Sequence, residues 1–224
     1  VAALVLLAVS AAPAAADVWD IQASLLNDDS NSSRNTLLHG TSQTHDLGVR
    51  PGPVADSDWY RIPQKPQASY EVIIDGTSGG TGVLPLLDRI GLDGSTVVQT
   101  ATAAVTGSQA FSHALRWVNT SSSTVDFQYL RVAGAACGTT CNSADVYTIR
   151  VRETTVNVAR FNATGGQVTV LLTQNASERP VNLTQFFWSV SGTLLGTRSL
   201  ASHPAKALDV FNVASLPALV GQSG

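Results

Sequence analysis

Asp56 and Asp58, in the stretch VADSDWYRIP (54–63), are the most chemically suggestive pair in the chain. Carboxylates two residues apart share a face once strand geometry has begun. They then repel each other unless a cation or backbone donors compensate. Half of an active site, a cation loop and a turn feeding a strand are all open readings. His39, His45 and Asp46 in HGTSQTHD could reach a shared metal. Their spacing is not the i,i+4 of a helical metalloprotease site, however, and no glutamate base accompanies them. Polar loop histidines are the simpler reading of that stretch, and His113 and His203 have no obvious partner at all.

Nucleophilic chemistry finds little support. DGTSGG (75–80) places Ser78 in a setting like that of a chymotrypsin-type serine, but no histidine in a matching segment could activate it. An Asp-Gly-Thr-Ser-Gly run is also an ordinary turn. Asp75, Asp88 and Asp93 all fall at turns, so spacing alone nominates no glycosidase pair. The glycines mark turns rather than a phosphate-cradling loop. FFWSV (186–190) gathers aromatics, with Phe186 and Trp188 expected on one strand face and Phe187 on the other. These rings could form a sugar platform, but a small β-domain needs them as core.

The elements that must position these residues are β-strands. Apolar residues make up 44% of the chain and charged residues only 13%, against about a quarter charged in a typical soluble domain. Ser, Thr, Gly and Val are abundant, which favours strands joined by polar turns. Thirteen basic residues scattered singly and a net charge of −3 give no footprint for nucleic acid. The chain opens VAALVLLAVSAAPAAAD, an apolar run followed by small residues and a first charge at Asp17. Residues 1–16 therefore read as a signal-peptide-like segment. The run is short of the roughly 20 apolar residues that span a bilayer, so no membrane span is expected unless this segment is retained. Export supplies an oxidising compartment, and Cys137 and Cys141 are expected to close a short disulfide loop.

Alternation predicts strands at 17–26, 59–63, 69–76, 111–119, 127–134 and 145–154. Residues 84–100 predict a hairpin turning at Asp93-Gly94. In 69–76, Tyr70, Val72 and Ile74 share one face. In 145–154, Tyr147, Ile149 and Val151 oppose Val146, Thr148, Arg150 and Arg152. Beyond Thr155, strands are predicted at 167–177 and 207–215, with a hairpin over 181–201 turning at Ser191-Gly192. Long crossover helices are missing, so the sheets should be antiparallel. The expected fold class is all-β, with two antiparallel β-sandwich-like units. The first, 17–154, is jelly-roll-like. The second, 155–224, is either a small β-domain or a truncated one.

Residues 27–153 resemble the bacterial pre-peptidase C-terminal domain family. The resemblance rests on NDDSNS (27–32), DSDWY (56–60), SYEVIIDG (69–76) and VYTIRV (146–151). It departs from the family pattern in lacking an opening Glu-Pro, in carrying KPQAS before the second strand, and in its CGTTC loop. The resemblance implies a secreted jelly-roll-like sandwich beside an exoenzyme. In some members the opening acidic loop and the Asp-x-Asp element bind calcium, which here would fall to Asn27, Asp28, Asp56 and Asp58. Calcium needs about six to eight oxygens, which four such side chains with carbonyls and water could supply. Turn hydrogen bonds by the same aspartates are the competing reading. The functional expectation is a non-catalytic secreted or cell-surface protein acting by binding, adhesion or structural contact. Its partner would be an extracellular protein or glycan surface, or copies of itself. The alternatives are an accessory fragment of a secreted hydrolase and a subunit of an extracellular assembly.

Overall fold

The computed structural model describes residues 19, 28–48, 55–76, 85–103, 112–121, 127–134, 140–176 and 179–224. The chain divides into two compact units, Val1–Thr155 and Val156–Gly224. The described residues are all-β apart from single 3-10 turns, and every strand ladder is antiparallel.

The first unit is a sandwich of two sheets. One runs in the order β1 (Ser42–Asp46), β9 (Val146–Glu153), β3 (Ser69–Asp75), β7 (Ser112–Val118), β6 (Thr102–Ala103). The other runs β2 (Ser57–Ile62), β8 (Gln128–Ala133), β4 (Leu86–Ile90), β5 (Val97–Thr100). Alternation decides what each strand buries. Tyr70, Val72 and Ile74 of β3 and Tyr147, Ile149 and Val151 of β9 point inward. They meet Tyr60 and Ile62 of β2, Leu87 of β4, and Leu130 and Val132 of β8 in one continuous core. The hairpin between β4 and β5 turns through Gly94 at φ +70°, a left-handed conformation that glycine adopts without strain. Asp93 closes that turn by accepting from the Ser95 and Thr96 backbone N–H groups, each at 2.9 Å.

The second unit holds two ribbons, β10 (Val170–Gln174) with β13 (Leu208–Asn212), and β11 (Val181–Trp188) with β12 (Leu194–His203). Phe161, Phe187 and Phe211 form its centre, with Val213 and Leu219. The Phe161 and Phe187 rings meet edge-on at 5.6 Å. As alternation predicts for FFWSV, Phe187 is buried and Trp188 is exposed.

The main difference from expectation is β1. HGTSQTHD reads as polar loop, yet Ser42–Asp46 is an edge strand paired along β9. An edge strand buries only part of one face, so the apolar alternation that marks inner strands is absent here. The strand expected at 17–26 lies outside the described residues except for Trp19.

Candidate metal centre

Asp58 and Tyr60 alternate on the buried face of β2. His45 of β1 sits opposite Tyr147 of β9 in the ladder between them. Asp28 arrives from the polar loop, which is stitched along β2 by backbone bonds. Trp59 N–H donates to the Asp28 carbonyl at 2.8 Å, Arg61 N–H to the Asn35 carbonyl at 2.8 Å, and Leu37 N–H to the Arg61 carbonyl at 2.9 Å. Three separate elements thereby bring one ligand atom each from Asp28, His45 and Asp58 to within 4.8 Å of one another. Their exposures are 0%, 1% and 1%.

Each group is oriented by a neighbour. Tyr147 Oη donates to Asp58 Oδ2. It lies 2.6 Å from Tyr60 Oη, which makes Tyr60 the donor in that second bond. Burial, reinforced by the Asp58 charge, holds the Tyr147 hydroxyl well above its ordinary pKa, so it stays protonated. Asn35, itself 1% exposed, donates Nδ2 to Asp28 Oδ2 at 3.1 Å. The Asn35 Oδ1 atom is buried and makes no hydrogen bond among the described residues. His45 Nε2 is 3.1 Å from Gln43 Oε1, and its Nδ1 is 3.6 Å from Asp28 Oδ2. Nε2–H donated to Gln43 Oε1 fixes the ring so that Nδ1 faces the carboxylates. The ring is packed by Tyr147 at 5.8 Å, Tyr60 edge-on at 5.2 Å and Trp19 at 5.7 Å.

Two carboxylates this close in a buried volume repel each other, a repulsion that a positive charge between them would offset. The donor set fits a divalent ion, but it is mixed. Two carboxylates come with an imidazole nitrogen, rather than with the all-oxygen shell that calcium prefers. Of the residues implied by resemblance, Asp28 and Asp58 converge. Asp56 is 2% exposed and stands just before β2, where its Oδ1 accepts from Ser57 N–H at 2.8 Å. Asn27 lies outside the described residues. Sequence reasoning missed His45 at this site because it grouped that residue with His39 and Asp46. His39 instead accepts from Glu153 N–H at 2.8 Å, at the far end of the β1–β9 ladder. Asp46 accepts from Gly48 N–H at 2.7 Å. The available signal was the Gln43–His45–Leu47 alternation.

The other candidates have structural work. Asp75 pairs with Arg150 at 2.9 Å and accepts from Ser112 Oγ at 2.7 Å. Asp88 joins Arg131 at 2.7 Å and accepts from Thr100 Oγ1 at 2.8 Å. The Thr96 hydroxyl and backbone donors bring the Asp93 carboxyl down to about 2. Ser78 lies outside the described residues. Cys141 is buried and Cys137 lies outside them.

No protein-family model matches the chain, and no curated protein matches it. Among solved structures, the chain is similar to the pre-peptidase C-terminal domain of a collagenase from Bacillus anthracis. The identity is 11%, over 53% of this chain and 93% of that one, with a TM-score of 0.36.

Proposed function

We propose that the chain is a non-catalytic, secreted or cell-surface β-domain protein that acts by binding, adhesion or structural contact, its first unit fastened by a divalent cation between Asp28 and Asp58. The observation that carries this reading is the burial of the cluster. Side chains 0–1% exposed can tie the 28–37 loop to both sheets, but they present no face to a substrate. A hydrolytic metal site keeps a coordination position open to water and substrate instead.

Action by contact draws support from the second unit. Val170, Leu172, Leu208 and Val210 are 47%, 67%, 55% and 63% exposed, with Leu172 opposite Val210 in the ladder. Monomeric proteins seldom leave such rows uncovered without a use for them. Among the described residues no helix is long and apolar enough to cross a membrane. Partners are proposed to be an extracellular protein or glycan surface, or further copies of this chain.

Purified protein should leave peptide, ester and glycan libraries unchanged while being retained on at least one insoluble extracellular matrix. Turnover that scales with protein and disappears on a single Asp, Ser or His substitution would overturn the reading.

A further inference from the structure

The cation reading leaves the kind of ion open, and His45 bears on it. We propose that the centre takes a borderline first-row divalent ion of the zinc class, bound through His45 Nδ1 together with the Asp28 and Asp58 carboxylates. This inference rests on the cation reading above and narrows it.

Three observations converge. The ligand atoms of Asp28, His45 and Asp58 lie within 4.8 Å of one another, a spacing that one small ion can span. Each ligand also has an outer partner of the kind that metal ligands carry. Gln43 Oε1 sits on the far nitrogen of His45 at 3.1 Å, Asn35 Nδ2 on Asp28 at 3.1 Å, and Tyr147 Oη on Asp58. Such partners fix the tautomer and aim the oxygens before any ion arrives. Finally, Asn35 Oδ1 is a buried acceptor that makes no hydrogen bond among the described residues, on the side chain whose Nδ2 holds Asp28 Oδ2. Imidazole with carboxylate suits zinc and its neighbours, whereas calcium takes hard oxygens in greater number and usually keeps water. Full burial favours the ion that needs fewer ligands.

The test uses the whole chain after chelator treatment, titrated separately with zinc, cobalt(II) and calcium. Zinc at about 100 times its Kd should raise Tm by several degrees. Cobalt should bind at one equivalent with the strong visible bands of a low-coordinate site containing nitrogen. Calcium should bind at least about tenfold more weakly than zinc. Gln43→Leu, which leaves the ligands in place, should weaken zinc by about 10- to 100-fold, and His45→Asn should abolish the zinc-dependent rise. A zinc effect that survives folded His45→Asn belongs to other histidines and overturns the proposal, as does unchanged zinc affinity in Gln43→Leu. A rise with calcium alone overturns the zinc-class assignment but leaves the cation reading standing. If no ion shifts Tm, both fall.

Discussion

The hydroxyl of Tyr60 on β2 and that of Tyr147 on β9 lie 2.6 Å apart, joining the two sheets of the first unit through a polar bond inside an apolar core. Tyr147 passes the link on to Asp58. The chain of donors runs Tyr60 to Tyr147 to carboxylate, so each hydroxyl serves both the packing and the charge. Removing the middle member leaves a buried carboxylate short of a donor, which costs more than the bond itself. Tyr147→Phe should therefore destabilise the protein by about 1–3 kcal/mol, and Tyr60→Phe by less. Urea unfolding midpoints with an unchanged m-value would measure both. Equal losses in the two variants would mean that Asp58 does not depend on Tyr147.

Much of this arrangement was legible in the sequence, and the rest was not for identifiable reasons. Strands buried on one face announce themselves by alternation, as at Tyr70–Ile74 and Tyr147–Val151, and the observed burial follows it. Asp58 was legible because it shares the inward face of such a strand with Tyr60 and Ile62. The docking of Asp28 was not, since it depends on backbone bonds from Trp59 and Arg61 to a loop some thirty residues earlier. Side-chain spacing cannot express such a pairing. His45 was hidden for another reason. β1 is an edge strand of Ser, Gln, Thr, His and Asp, and its inward residues are polar because they face the cluster rather than the hydrocarbon core.

In the second unit, Arg198 of β12 forms a two-pronged ion pair with Asp209 of β13, at 2.7 and 2.9 Å, across the two ribbons. It also lies 4.2 Å from the centre of the Phe211 ring. The Arg198 hydrogen bond holds the Asp209 carboxyl below its ordinary pKa. A depressed folded-state pKa contributes stability above the unfolded value of about 4, and that stability is lost as pH falls below it. Arg198→Ala should cost about 1–2 kcal/mol at neutral pH, because the pair is mostly shielded and bidentate. The difference from wild type should shrink between about pH 4 and pH 2. Denaturation curves of both proteins across that range provide the check. A cost independent of pH would assign the loss to packing on Phe211 alone.

The CGTTC segment makes a covalent prediction. If the chain is exported as proposed, Cys137 and Cys141 should be joined, since a four-residue separation with an intervening glycine permits approach and an oxidising compartment would favour the bond. So short a loop gives up little unfolded-state entropy, so its reduction should lower Tm only modestly. Intact mass after alkylation without reductant should show no added label. Two labels per chain would refute the bond.

Asp56 and Asp58 should separate cleanly when each is replaced. Asp58 shares the buried cluster with Asp28 and His45, whereas Asp56 directs Oδ1 to the Ser57 N–H at the start of β2. A ligand stabilises the fold in proportion to the logarithm of free ion well above Kd, and a turn hydrogen bond does not depend on the ion at all. Asp58→Ala should therefore lose the cation-dependent rise in Tm. In chelator it should lose less stability than in excess ion, because removing one of two crowded carboxylates also relieves repulsion. Asp56→Ala should lower Tm by a similar amount with ion and with chelator, keeping the difference between the two conditions. The measurement is a thermal unfolding series of wild type and both variants in chelator, zinc and calcium. If Asp56→Ala abolishes the ion dependence while Asp58→Ala preserves it, the ion is held at the entry to β2 and not in the cluster beneath Tyr147.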